Sequence, residues 1–233
     1  MPDIHLLDNP IWNALNTEHA ALAIGDGCAR RYPADIGPLC GTANQTAACY
    51  QSLRSLAGPG GVVVLFLQQP PVDRDGWTLL RGGELSQMIC SNSPIAEPAP
   101  LPTNATCRPL TSADVPAMLQ LAELTEPGPF RNRTIELGAF FGIFDSGRLV
   151  AMAGERLHLP EFVEISAVCT HPDARGNGYA RALMSQVIQE MGQRGKTPIL
   201  HVFADNHAAI RVYEGLGFTL RRTLHLAVLK SGL

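Results

Sequence analysis

Charge is scarce and nearly balanced in this chain. Of 233 residues, 17% are charged, 18 Lys and Arg against 21 Asp and Glu, for a formal net charge of −3. Without a basic excess there is no field to draw in nucleic acid or an anionic membrane, so neither is expected as a partner. Long apolar runs are also missing, since no window approaches the roughly 18 uninterrupted apolar residues of a membrane span. The start, MPDIHLLDNPIW, carries an early Asp and no basic segment ahead of an apolar one, so it does not read as a signal peptide. Cysteines stand at 28, 40, 49, 90, 107 and 169, with no C-x-x-C pair and no His at zinc-like spacing. The expectation is reduced thiols, no metal and a cytoplasmic protein. Apolar residues make up 45%, enough for a real core. The length allows one large domain or two small ones, at roughly 100–200 residues each.

The sharpest break along the chain is SNSPIAEPAPLPTNAT, 91–106, rich in Pro, Ser and Thr and lacking either periodicity. It divides an N-terminal α/β segment, 1–92, from a C-terminal domain, 107–233, with 93–106 as linker. In the first segment, DNPIWNALNTEHAALAIG and 43–56 read as helices, VVVLFL at 62–67 as a buried strand, and GWTLLRGGELSQMIC as one or two strands. The second begins with a helix in LTSADVPAMLQLAELT, with Ser112 or Asp114 as N-cap and Pro116 in the first turn. Two strands follow, joined at Asp145-Ser146-Gly147, then a third, EFVEISAVCT. Strict alternation in that third strand puts Phe162, Glu164, Ser166, Val168 and Thr170 on one face, and Val163, Ile165, Ala167 and Cys169 on the other. Next, Ala180, Leu183, Met184, Val187, Ile188 and Met191 form one helical stripe. TPILHVFA reads as a strand, Asn206 caps a short helix, and FTLRRTLHLAVL is a last strand. The order α, β, β, β, α, β, α, β predicts a mixed α/β (α+β) sheet covered by helices.

Chemistry concentrates at Arg175-Gly176-Asn177-Gly178, between that third strand and the striped helix. A helix start leaves about four N–H groups without intrahelical partners and carries about half a positive charge. Glycines ahead of it let backbone N–H groups converge with no Cβ in the way, which suits a phosphate or pyrophosphate. The string G-x-x-x-x-G-K-[ST] of a phosphate-binding P-loop is absent, and Arg181 stands where a dinucleotide fingerprint needs its third glycine.

Arg175-Gly176-Asn177-Gly178-Tyr179-Ala180 fits the motif [QR]-x-x-G-x-[GA], and downstream runs Asn206-x-x-Ala209-x-x-x-Tyr213-Glu214-x-x-Gly217-Phe218. Together, in this strand and helix context, the two strings resemble the GNAT superfamily of acyl-CoA-dependent N-acyltransferases. The resemblance covers about residues 108 to 230 and implies the GNAT fold. The first hundred residues do not visibly match, and a degenerate second copy, as in the glycine N-acyltransferase-like group, is one reading of them. A homodimer surface or a cover over the acceptor site is another.

The resemblance implies acetyl-CoA (or another acyl-CoA) as co-substrate and an amine as acceptor. It places the pyrophosphate on the backbone of Arg175 to Ala180 and the pantetheine arm along Ala167, Val168, Cys169 and Thr170. It places Asn206, Ala209 and Tyr213 near the pantetheine and the sulfur. An alkyl ammonium costs about 4.6 kcal/mol to deprotonate at pH 7, whereas an α-amino group costs about 1 kcal/mol. A base must take that proton, and Glu164 is the first candidate, Glu155 the second. Tyr213 is the candidate acid for the departing thiolate, and a backbone N–H near Val168 the candidate for polarising the carbonyl. Direct attack by the amine is expected, with no covalent enzyme intermediate. The alternative is a CoA-binding regulatory or scaffold protein without turnover. Cys169 has no His partner at readable spacing and reads as a buried thiol, and His201 as a satisfied core histidine. Arg131 and Arg133, in EPGPFRNRT, are either contacts for an acidic acceptor or plain surface charges.

Overall fold

A computed structural model of the chain describes residues 5–90, 101–102 and 104–232. It contains a two-stranded ribbon, β1 (Ala29–Arg31) with β2 (Cys40–Thr42), and one large sheet. The sheet holds β3 (Val62–Leu67), β4 (Trp77–Ile89), β5 (Ala105–Pro109), β6 (Phe140–Asp145), β7 (Arg148–His158), β8 (Phe162–Thr170), β9 (Thr197–Phe203) and β10 (Thr219–Ser231). Their spatial order is β3-β10-β4-β9-β8-β7-β6-β5. Every neighbouring pair is antiparallel except β8 with β9. The expected mixed α/β architecture is therefore present.

The sheet crosses the expected division of the chain. β4, from the N-terminal segment, lies between β9 and β10 and pairs with both. The apolar and β-branched run VVVLFL forms β3, and GWTLLRGGELSQMIC forms one strand rather than two. Most of the expected linker, 93–100 and 103, lies outside the described residues, but Ala105 and Thr106 belong to β5, paired with Asp145 and Phe144. The polar composition of that stretch hides a short, mostly exposed edge strand.

Helices cover both faces. On one face lie α1 (Pro10–Asn16) and α3 (Val115–Thr125), on the other α2 (Ala47–Ala57) and α4 (Tyr179–Gln193). The alternation in β3 shows this directly: Val64 and Phe66 pack with Ile11 and Leu15, while Val63 and Leu65 pack with Tyr50 and Leu53. α1 is shorter than its sequence pattern suggests. It stops at Asn16, and His19 then turns in to place Nδ1 2.7 Å from the Tyr32 hydroxyl. The striped helix α4 buries Leu183, Met184, Val187, Ile188 and Met191 against β6 to β9, each contributing roughly 1.5–3 kcal/mol. The hairpin β6–β7 turns through Ser146 at φ +50° and Gly147 at φ +80°, the two left-handed positions that match the strand twist.

Candidate active site

β8 and β9 pair only from Phe162 with Thr197 to Glu164 with Ile199. Beyond Glu164 they part, and a notch opens whose apex lies at that last pair. The β9-facing edge of Ile165 to Thr170 is left unpaired by β9.

A bulge shapes this edge. Met152 pairs with Cys169 and Gly154 with Ser166, so one residue of β7, Ala153, faces two of β8, Ala167 and Val168. Ala167 takes φ +53°, left-handed and rare for a residue with a Cβ. The extra residue corrects the alternation expected from sequence. Val168 packs on the α4 side with Val163 and Ile165, whereas Ala167 and Cys169 turn to the α3 side. Glu164 and Val168 therefore do not share a face, and Cys169 does not oppose Glu164. Period-2 reasoning has no means of registering an inserted residue.

A cleft of about 300 Å³ lies along the notch, lined among others by Val168, Cys169, Thr170, Arg175, Ala180 and Tyr213. Ala209 and Val212 of α5 (His207–Glu214), Thr125 of α3 and Met184 of α4 complete it. The glycine loop stands at its end. Gly176 has φ +83° and Gly178, the N-cap of α4, φ +74°, with open space where a Cβ would stand. α4 begins without a side-chain cap, which leaves its first N–H groups to a ligand. Asn177 donates from Nδ2 to the Ala174 carbonyl at 3.1 Å and holds the loop. The Tyr179 side chain is buried, its hydroxyl 3.4 Å from Asp145 Oδ2, so this residue offers the cleft backbone only. An unpaired strand edge, a narrow apolar cleft and an uncapped helix start behind glycines fit an extended thioester with a pyrophosphate at one end.

The sequence candidates divide in space. Val168, Cys169, Thr170, Arg175, Ala180, Ala209 and Tyr213 line one cleft. Asn206 does not join them: its side-chain oxygen accepts from Ala209 N at 3.1 Å as the cap of α5, and it borders a separate cleft with Arg81, Glu84 and Phe203. Thr125 and Met184 were not singled out by sequence reasoning. Met184 sits one turn from Ala180 on the α4 stripe, a visible signal, while Thr125 enters only because α3 packs on β7 and β8. Burial raises the Tyr213 phenol above its ordinary value, so it keeps its proton at neutral pH.

The two carboxylates are buried and paired. Glu164 is 0% exposed and accepts from Arg156, Nε to Oε2 at 2.8 Å and Nη2 to Oε1 at 2.5 Å. His201 Nδ1 lies 2.6 Å from Glu164 Oε1, and His201 Nε2 lies 2.9 Å from Gln87 Nε2. The Gln87 amide is spent further, donating to the Leu7 carbonyl and accepting from Arg221, which also holds Asp8. Burial alone would raise the Glu164 carboxyl, but the charges of Arg156 and His201 outweigh it and bring it to about 2. Glu155 is 1% exposed, takes Ala139 N at 3.2 Å, pairs with Arg194, and lies 3.0 Å from His158 Nε2. Burial would raise it too, yet the bonds from His158 and Arg194 leave it below the usual carboxylate range. Arg133 is tied to Asp35 and Glu136. Among the described residues no group of three or more His, Cys, Asp or Glu could hold a metal ion, and no helix is long and apolar enough to cross a membrane.

A strand notch bordered by a glycine-led helix start is the architecture of an acyl-CoA N-acyltransferase. Residues 140–226 match the FR47-like protein family. The chain is 30% identical over 129 residues to the [ribosomal protein bS18]-alanine N-acetyltransferase of Escherichia coli, covering 52% of this chain and 86% of that enzyme. Over 86 residues it is 36% identical to the mycothiol acetyltransferase of Streptomyces scabiei, covering 36% of this chain and 28% of that one. A solved structure of a GNAT-family protein from Novosphingobium aromaticivorans superposes with a TM-score of 0.88 at 37% identity, over 99% of this chain and 100% of that one. The chain belongs to the GNAT family and is an acetyltransferase.

Proposed function

We propose that the protein transfers the acetyl group of acetyl-CoA to an α-amine, by direct attack of the neutral amine on the thioester. The observation that carries the choice of acceptor is the state of the two candidate bases. Glu164 and Glu155 are buried, bonded to arginines and held below the ordinary carboxylate range. A carboxylate near 2 is a poor acceptor for the proton of an alkyl ammonium. An amine that is already partly neutral needs less help. At pH 7.5 an α-amino group near 7.8 has a neutral fraction roughly 270-fold larger than an alkyl amine near 10.4. The relative from E. coli, whose name gives an alanine as its target, is consistent with this class.

Acetyl-CoA, when bound, supplies the activated acetyl group. The backbone of Arg175 to Ala180 would hold its pyrophosphate, and the free edge from Ala167 to Thr170 its pantetheine arm. The bulge at Ala167 lies on the strand that borders the notch, and an N–H near Val168 is the candidate for polarising the carbonyl. Tyr213, protonated and lining the cleft, is the candidate donor to the departing sulfur. Glu164 is read as a positioning group for the apex, tying β8 to β9 through His201, and Glu155 as the charge partner of Arg194. The test is release of free CoA from acetyl-CoA over an amine panel at pH 7.5. Short peptides with free N-terminal α-amines should exceed polyamines and lysine side chains by roughly 10²-fold in kcat/KM. Preference for polyamines would sink the α-amine reading, and no turnover on any amine would favour a CoA-binding role alone.

A further inference from the structure

β4 runs on past the strand beside it. β9 pairs with it only from Leu85 with Phe203 to Ile89 with Ile199, while β10 follows the other edge as far as Trp77. Ala204 N donates to the Glu84 carbonyl at 3.0 Å, one residue beyond the end of β9, and the ladder stops there. From Trp77 to Gly83 the β9-side edge is bordered by no strand among the described residues. Ser86 and Glu84 turn their backbone groups toward β9, so period two turns the N–H and C=O of Gly82 to the same, open side. Further along, Leu79 and Leu80 are 45% and 52% exposed, large apolar side chains left open on this stretch of β4.

A cleft of about 640 Å³ fills the step between the two strand ends, lined among others by Arg81, Gly82, Gly83, Glu84, Phe203 and Asp205. Arg81 lies over the Phe203 ring at 4.7 Å and forms one wall. The two glycines leave the edge bare, which lets another backbone approach closely. Glu84 and Asp205 are exposed, and neither takes part in an ion pair among the described residues. The cleft adjoins the notch at the height where the reaction is read to occur. β8 and β9 are parallel with Glu164 opposite Ile199, and counting on along both strands brings Val168 level with Phe203, to within the one residue that the bulge adds.

We propose that the acceptor is the N-terminus of an extended polypeptide, bound as an added strand on the Gly82 edge of β4 in line with β9, an inference that rests on the α-amine reading and names its substrate class. The added strand lies antiparallel to β4. Its first residue sits beside Phe203 and Ala204, and its later residues lead away along Gly82. The α-amine then stands level with Val168, and the carboxylates of Glu84 and Asp205 draw in its ammonium form. The transfer balances: the ammonium gives one proton to solvent, the N–C bond forms as the C–S bond breaks, and the second proton on nitrogen ends on the CoA sulfur. A polyamine or a single amino acid has no backbone with which to pair.

The test uses the full chain at saturating acetyl-CoA, with release of free CoA measured over two series of synthetic acceptors. In the first, length increases from an amino-acid amide to a hexapeptide, and kcat/KM should rise at least roughly 10-fold by the tetrapeptide. In the second, single backbone nitrogens of the hexapeptide are methylated in turn. Alternate positions should lose roughly 10-fold and those between them little, because every second residue of an added strand faces β4. Gly82→Pro removes the donor on the open side and leaves the β10 ladder in place. It should lower kcat/KM for the hexapeptide by a similar factor and leave the acetyl-CoA KM unmoved. Peptides acetylated at the rate of the amide whatever their length, or methylation losses with no alternation, would overturn the added strand and leave the α-amine reading standing. Absence of acetylation on every α-amine would sink both. Wild-type protein with modified peptides gives the primary readout, so a misfolded Gly82→Pro does not disable the test.

Discussion

Ala167 shows how much one backbone angle carries. At φ +53° it is the bulged residue after which Val168 falls on the α4 side of β8 and Cys169 on the α3 side. Glycine adopts that region without cost, whereas a β-branched side chain fits it poorly. Ala167→Gly should keep stability within about 1 kcal/mol of wild type, and Ala167→Val should lose about 1–3 kcal/mol. Urea unfolding with the acetyl-CoA KM measured alongside separates fold from site: Val should raise KM even where the protein remains folded. Glu164 makes a second case at this scale. Glu164→Gln leaves the half-buried Arg156 guanidinium without its counter-charge, at a cost of about 3 kcal/mol. If its main role were that of base, the variant would instead be inactive at nearly wild-type stability.

His19 adds a pH signature. Burial, then the neighbouring His158 ring stacked at 4.9 Å, lower its pKa from 6.5 to about 4. The folded protein thus resists a proton that the unfolded chain accepts from 6.5 downward. Stability from this group is full above pH 6.5 and falls as pH drops toward 4, by on the order of 3 kcal/mol at most. Thermal melts of wild type and His19→Phe across that window should diverge most near pH 4, with the variant less acid-sensitive. Parallel curves would remove His19 as the cause.

At the scale of elements, the part of the site made from local sequence was legible and the part made from pairing was not. The striped helix α4, its glycine start and the Ser146-Gly147 turn are local, each written in consecutive residues. The bulge in β8 is invisible to alternation because it depends on how many residues of β7 stand opposite. The burial of Glu164 could not be foreseen either. Its partners Arg156 and His201 come from strands on both sides, and Gln87 reaches His201 from a strand 114 residues away in sequence. A carboxylate beside a binding notch looks like a base until its neighbours are counted. His201, expected to be a satisfied core histidine, has both ring nitrogens within hydrogen-bonding distance of Glu164 and Gln87.

For the whole molecule, the decisive strand is β4. β9 and β10 each pair with β4 and not with one another, so the stretch that carries the glycine loop and the cleft does not complete its own sheet. A fragment spanning 105–233 would leave β9 and β10 with unpaired edges and take Leu85 and Met88 out of the core that Leu200 and Leu224 share with them. It should be insoluble or unfolded by circular dichroism, and co-expression with 1–90 should recover folded protein. A fragment that folds and binds acetyl-CoA alone would show that β4 is dispensable. The break in composition at 91–106 is therefore a break in local character and not in the sheet.

The central claim is that the notch between β8 and β9 receives acetyl-CoA, with its pyrophosphate on the start of α4. Calorimetric titration of acetyl-CoA into wild type and Gly178→Glu tests it most directly. Gly178 faces open space at φ +74°, so a carboxylate there stands where the pyrophosphate would lie while the core of the sheet is untouched. Saturable 1:1 binding in wild type, with at least a roughly 100-fold loss in the variant and unchanged circular dichroism, is the predicted result. Equal affinity in the two proteins would contradict it.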